Sequence, residues 1–178
     1  MTKLIILKIL LISTAALAQK EANVWYFGKK AGLDFNNGTP VALTDGSLIT
    51  IEGCSSIADS KGNLLFYSEG VHVWDRNHVQ MPDGFGLLGD ESSTQSALIV
   101  PKPGSNTIYY IFTTAAWGPP TGSLCYSIVD MTLNSGLGNV TSKNVYLHAP
   151  VTDVQSRFFT KCKPIKRLLH IKHHFCGH

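Results

Sequence analysis

The chain has 178 residues, enough for one ordinary domain behind a leader, and only 15% of them are charged. Gly, Ser, Thr and Asn are abundant and aromatics make up 10%, a composition that can bury a core and need not be disordered. The formal net charge of +3 hides a split: Gln19 to Asp153 carries seven bases against twelve acids (7 − 12 = −5), and beyond Asp153 stand six bases and no acid. The basic balance comes from the two ends, so it is no argument for nucleic-acid binding by the body.

Residues 1–18 read as a secretory signal peptide. Lys3 supplies the positive start, and an apolar stretch from Leu4 to Leu17 follows, broken only by Lys8 and Ser13-Thr14. Ala16-Leu-Ala18 matches the small-x-small pattern of a signal-peptidase site, which places the cut between Ala18 and Gln19. A bilayer span needs about 20 apolar residues, and this run is shorter and interrupted. No later segment is long and apolar enough for a transmembrane helix.

Residues 19–150 read as short strands punctuated by turns. Val24–Phe27 is an apolar aromatic run closed by Gly28, and 36–40 and 44–46 are turn signals because Asn and Gly tolerate positive φ. Ser55–Ala58, Leu64–Tyr67 and Val71–Trp74 form a predicted three-stranded meander, with a turn at Asp59–Asn63 and another at Glu69-Gly70. A second unit repeats the pattern: Ser96–Val100, Thr107–Thr113, Leu124–Val129 and Lys143–Leu147, rich in β-branched and aromatic residues. No amphipathic helical period occurs before residue 150.

The two units superpose at steps of 40 to 55 residues (Ser56 to Ser96, Leu65 to Tyr110, Asp75 to Asp130), the period of a four-stranded propeller blade. The expected fold class is therefore all-β: a partial β-propeller-like module of about two four-stranded blades plus an N-terminal strand. A closed propeller needs at least four blades. Two readings are open, a fragment of a larger propeller or a small sandwich of the two units, and the fragment is favoured. Residues 151–178 form an irregular basic Cys/His-containing tail whose composition departs sharply from the body. It reads as translation of an unselected frame, the alternative being a natural basic tail.

Several ordered motifs carry a family resemblance. They are Asn23-Val-Trp-Tyr-Phe-Gly28, Ala31-Gly-Leu-Asp-Phe35, Leu43-Thr-Asp-Gly46, Glu52-Gly-Cys54, Asp59-Ser-Lys-Gly-Asn-Leu-Leu-Phe-Tyr67, Val73-Trp-Asp75, Met81-Pro82, Ser92-Ser-Thr-Gln-Ser96, Val100-Pro-Lys-Pro-Gly104 and Tyr109-Tyr-Ile-Phe112. From Asn23 to Pro150 the chain resembles the N-terminal propeller-like region of large secreted, gliding-motility-associated proteins of Bacteroidetes-type bacteria. Those proteins often continue into PKD-type repeats and a C-terminal type B sorting domain for type IX secretion. The resemblance implies a cell-surface or extracellular parent. Without the sorting domain, a periplasmic location is expected for this chain.

No catalytic constellation emerges. Asp59-Ser-Lys-Gly62 has the wrong spacing for the Asp-box of sialidase-type propellers and reads as a hairpin turn with Asp59 accepting backbone N–H groups. Asp34, Asp45, Glu52, Glu69, Asp75, Asp83, Asp90 and Glu91 are scattered; two of them could pair as in a glycosidase, but sequence assigns no distance. No calcium loop, nucleophile elbow or phosphate loop is present. Cys54 and Cys125 are either a disulfide or two buried thiols, the thiols being favoured. Cys162, His170, His173, His174, Cys176 and His178 offer soft and imidazole donors but fit no standard zinc spacing, so no metal or other cofactor is expected. The cationic, apolar tail could also adsorb to anionic membrane surfaces. Most aromatics read as core, and Trp117, in a Gly-Pro loop, is the best candidate for an exposed ligand-binding ring.

The expected function is that of an exported, non-enzymatic β-propeller-like module, a truncated copy of a surface adhesion or gliding-associated protein. A surface glycan or protein is its expected ligand, and nucleic acid is not. The alternative is a fragment of a secreted carbohydrate-active propeller enzyme.

Overall fold

A computed structural model describes residues 20–116 and 123–148. The leader, Trp117 and the basic tail lie outside them. Among the described residues, ten strands form three antiparallel sheets laid down in chain order. Sheet 1 comprises β1 (Val24–Phe27), β2 (Ala31–Asp34) and β3 (Val41–Leu43). Sheet 2 comprises β4 (Ser55–Ala58), β5 (Leu64–Ser68) and β6 (Val73–Asp75). Sheet 3 comprises β7 (Ala97–Pro101), β8 (Ile108–Thr114), β9 (Leu124–Asp130) and β10 (Asn139–His148), each paired with its sequence neighbour. The described residues hold no α-helix; the only helical turn among them is the 3-10 turn Asn134–Gly136.

Most strands of sheets 2 and 3 fall where the alternation of apolar residues puts them, although β6 begins at Val73 rather than Val71 and β10 at Asn139 rather than Lys143, and the all-β class holds. The expected count does not. Instead of two four-stranded units and one extra strand, the sheets have three, three and four strands, because β2 and β3 complete a sheet around β1. These two strands are short, carry Gly32 and the exposed Val41, and owe their extended form to pairing with their neighbours rather than to local propensity.

A two-sheet sandwich is likewise ruled out, because sheet 2 lies between the other two. Successive residues of a strand point to opposite faces. Phe66 therefore points into a core with Ile57 and Val73 of its own sheet and Ile99, Tyr109, Ile111 and Val129 of sheet 3. Its ring meets Tyr109 edge-on with centroids 5.5 Å apart. Tyr67 points the other way, into a second core with Val24 and Tyr26 of sheet 1, Leu48 and Cys54.

The first strands of successive sheets are neighbours: β1 packs against β4, and β4 against β7. Two adjacent serines of β4 stitch them together. Ser56 Oγ accepts the Tyr26 amide of β1 at 2.8 Å, and Ser55 Oγ accepts the Ile99 amide of β7 at 3.2 Å. Buried backbone donors at strand edges thus find partners, and a side chain as small as serine lets the strands approach closely enough to supply them. Gly53 serves the same approach, since a Cβ there would stand 2.2 Å from the Ser96 amide nitrogen. The β4–β5 hairpin is closed by Asp59, whose Oδ1 accepts the amides of Lys61 and Asn63, with Gly62 at φ +90°. This is the turn its spacing predicts.

Candidate functional site

Three of the scattered carboxylates are turn caps. Asp34 accepts the Asn36 amide, Asp75 those of Asn77 and Val79, and Asp90 that of Ser92. Glu52 accepts the Thr94 hydroxyl at 2.9 Å, and Asp83 is exposed at φ +54°. Asp59 is held below the ordinary carboxylate range: burial pushes it up, but the bonds from Asn63, Lys61 and Gly62 outweigh that. Two carboxylates, Asp45 and Glu69, do something else. Each joins a histidine to an aromatic side chain.

Asp45 lies in the segment between β3 and β4, at the seam of sheets 1 and 2. Its Oδ1 accepts the Tyr26 hydroxyl at 2.8 Å, and its Oδ2 lies 3.3 Å from His78 Nε2. His78 Nδ1 is 3.0 Å from the Tyr67 hydroxyl, which accepts the Ser47 amide at 2.9 Å. The directions follow from the donor inventory. An amide can only donate, so the Tyr67 oxygen accepts from Ser47, and an ionised carboxylate can only accept, so the ring nitrogen facing Asp45, Nε2, carries a proton. The relay runs from Ser47 through Tyr67 and His78 to Asp45, where Tyr26 donates from the other side. The rings pack as well as bond: Tyr26 and Tyr67 stack with centroids 4.6 Å apart, and His78 lies 5.1 Å from Tyr26.

Local backbone places His78 for this role. The turn after β6 is clamped by Asp75, and His78 takes φ +62°, a left-handed conformation costly for a non-glycine residue. Its carbonyl in turn accepts the Ser47 hydroxyl at 2.7 Å. The electrostatics match the geometry. The Tyr26 hydroxyl holds the Asp45 carboxyl below its ordinary range, so Asp45 stays ionised. Burial, reinforced by Asp45, pushes the Tyr26 hydroxyl well above the usual tyrosine value, and burial also raises Tyr67. The side chain of Asp45 remains 60% exposed and that of His78 20%.

The second cluster lies at the β5–β6 turn. The side chain of Glu69 is only 5% exposed, and its Oε1 accepts the His72 backbone amide at 2.8 Å and lies 2.6 Å from His72 Nδ1. Its Oε2 accepts the Trp74 indole N–H at 3.3 Å. The His72 side chain is 42% exposed, and with Nδ1 engaged its Nε2 is the ring nitrogen left to meet solvent or ligand. Trp74 is half-buried and sits opposite Tyr67 across the β5–β6 ladder, on the same face of sheet 2. It therefore links the two clusters.

Sequence reasoning named Asp45 and Glu69 but neither histidine partner. His78 is 33 positions from Asp45 in the chain (78 − 45 = 33), and no local signal couples them. Of the expected thiols, Cys54 lies in the sheet 1–sheet 2 core and Cys125 in β9; both are buried, and no disulfide joins them. Burial raises the Cys125 thiol further above neutrality, which keeps it protonated and unreactive. Among the described residues, no group of three or more His, Cys, Asp and Glu is placed to hold a metal ion, and no helix is long and apolar enough to cross a membrane. Trp117 and the Cys/His tail (Cys162, His170, His173, His174, Cys176, His178) lie outside the described residues. Comparison with protein-family models, curated proteins and solved structures yields no match.

Proposed function

We propose that this chain is part of an exported, propeller-like surface module that binds a ligand rather than transforming one. The observation that carries the reading is the wiring of Asp45. It is an ionised carboxylate, held between Tyr26 and His78 on a rigid aromatic base and still open to solvent. A carboxylate kept ionised cannot serve as the proton donor that glycoside cleavage requires. It can accept hydroxyl groups from a bound glycan, while the buried rings of Tyr26 and Tyr67 beneath it hold it in place. The blade-like reading draws support from the stacking of sheets through their first strands in chain order.

The parent, on this proposal, is a secreted adhesion or gliding-associated protein displayed at the cell surface. Binding of surface polysaccharide to the purified chain, read by glycan array and calorimetry, tests it: Asp45→Asn weakens binding several-fold and leaves the fold intact. Release of reducing sugar by the chain would overturn the non-enzymatic reading.

The alternative, a carbohydrate-active fragment, has one observation in its favour. The buried Glu69 orients His72 as a carboxylate orients a general base, with Nε2 facing outward. Under that reading His72→Gln abolishes turnover without changing affinity. Under the binding reading there is no turnover to lose.

A further inference from the structure

The sequence contains one Asn-Gly step, Asn37-Gly38, in the turn that joins β2 to β3. Both residues are exposed. Gly38 takes φ +81°, and a Cβ built on it would meet nothing within 4 Å. Its amide donates only a long bond, 3.3 Å to the Phe35 carbonyl. Among the described residues, the Asn37 side chain has no hydrogen-bond partner. Its neighbour Asn36 is the opposite, held at three points. The Asn36 amide donates to Asp34 Oδ1 at 2.7 Å, its Nδ2 donates to the Gly62 carbonyl at 2.9 Å, and its Oδ1 accepts from Asn23 Nδ2 at 3.2 Å. The turn thus has a clamped half and a bare half. The bare half sets an unengaged carboxamide beside a backbone nitrogen that no side chain shields.

We propose that Asn37 is a site of spontaneous covalent modification, closing to a succinimide and opening to isoaspartate. The Gly38 amide nitrogen gives up its proton and attacks Cγ of Asn37. A carbon–nitrogen bond forms and the bond from Cγ to Nδ2 breaks. Nδ2 takes up a proton in place of the one released and leaves as ammonia. Water then adds to one of the two ring carbonyls. Opening at the main-chain carbonyl of residue 37 leaves isoaspartate, with the main chain running through Cβ and Cγ; opening at Cγ leaves aspartate. One water enters, one ammonia leaves, and nothing is oxidised or reduced.

Related steps are closed off by the fold. Asp45-Gly46 and Asp83-Gly84 could form the same ring from a carboxyl group. Asp45 is kept ionised by the Tyr26 hydroxyl, and a carboxylate is a poor electrophile. Gly46 is also crowded, since a Cβ there would stand 2.6 Å from the Tyr26 ring. The Gly84 amide is engaged by the Met81 carbonyl at 2.9 Å. Asn63 and Asn144 donate their side-chain amides to Asp59 and to the Gly86 carbonyl.

The position of the product matters to the fold. β3 is an edge strand, paired only with β2 through Gly32↔Leu43, Leu33↔Ala42 and Asp34↔Val41. The length of the turn fixes that register. Isoaspartate adds one carbon to the main chain of the turn and places a new carboxylate near Asp34, so it loosens β3 and leaves sheets 2 and 3 as they are.

The test follows the purified full chain through incubation at mildly alkaline pH, where the attacking amide loses its proton more readily. Peptide mass mapping reads the exchange of NH for O at each asparagine, and isoaspartyl methyltransferase labelling reads the isomer. Residue 37 converts several-fold faster than any other described asparagine, isoaspartate outweighs aspartate there, and the rate climbs with pH. Asn37→Gln, which would have to close a larger ring, removes the methyl acceptor and leaves the backbone of the turn alone. Hydrogen exchange at Val41–Leu43 is several-fold faster in the converted chain than in the Asn37→Gln chain aged beside it, with β8 unchanged. Three results would overturn the proposal: Asn37 intact in the folded chain after the urea-unfolded chain has converted, another asparagine or Asp45 converting first, or aspartate alone accumulating at 37. Unchanged exchange in β3 of the converted chain would overturn the effect on the ladder. If the variant misfolds, the mass map of the unaltered chain decides alone, with the fresh chain as the exchange reference.

Discussion

Replacing Tyr67 by Phe deletes one hydroxyl from the centre of the Asp45–His78 relay and leaves the ring in place. Tyr67 is fully buried, and its stacking on Tyr26 survives the change, so the apolar contribution is nearly constant. Two hydrogen bonds are lost: the one received from the Ser47 amide at 2.9 Å and the one shared with His78 Nδ1 at 3.0 Å. The costs differ. His78 is partly exposed, so water can replace the lost partner at small expense. The Ser47 amide faces the space the oxygen leaves, and a donor stranded beside a buried phenyl ring costs about 1–3 kcal/mol. The expected loss of stability is therefore about 1–3 kcal/mol, measured by urea denaturation of the purified chain. A double-mutant cycle with His78→Ala separates the pair energy, expected at about 0.5–1.5 kcal/mol, from the Ser47 penalty. Tyr110→Phe is the control: its ring sits on the outer face of sheet 3, and the change is expected to stay within about 0.5 kcal/mol. A Tyr67→Phe chain as stable as the unaltered one, or a zero coupling with His78, would refute the relay as described.

Three further outcomes are expected. Phe66→Ala empties the centre of the larger core, where Phe66 is fully buried against Tyr109, and costs about 3–5 kcal/mol by denaturant titration. Ser56→Ala strands the Tyr26 amide at the sheet 1–sheet 2 seam; a loss of about 1–3 kcal/mol is expected, together with faster amide exchange in β1 than in β8. Alkali destabilises the fold through its buried tyrosines. Tyr26, Tyr67 and Tyr109 all have raised values in the folded chain, burial being the largest cause, so each releases its proton more readily when unfolded. The stability they lend is complete below about pH 10 and is lost as pH climbs toward their folded values, so the thermal midpoint falls above about pH 10; a midpoint flat to about pH 12 would contradict it.

The strands of sheets 2 and 3 and the Asp59 turn were legible because their signals are local. Runs such as Thr107–Thr113 alternate an inward and an outward residue, and Asp-x-x-Gly carries its own hydrogen-bond acceptor to the turn. Ala31–Asp34 and Val41–Leu43 carry no such signal. They became strands because β1 offered a ladder, which is a property of the pairing and not of either segment. The inside-out alternation of Thr107–Thr113 even states that both faces of sheet 3 are apolar, though not what lies on either.

The candidate site shows the same division more sharply. Sequence placed Asp45, Glu69, Tyr26, Tyr67 and Trp74 in turns and strands, and their chemistry was plain from their types. What joined Asp45, Tyr26 and Tyr67 was the stacking of sheet 1 on sheet 2. That contact brought Asp45 and His78 together across the seam and anchored Asp45 between Tyr26 and His78, whereas Glu69 is anchored locally, by His72 and Trp74 in the β5–β6 turn. Local sequence determined extended segments, turns and an apolar alternation, because these depend on near neighbours along the chain. Which faces met, and so which carboxylate kept its charge beside which ring, was decided by burial and hydrogen bonding between residues distant in sequence, and only the tertiary structure holds those distances.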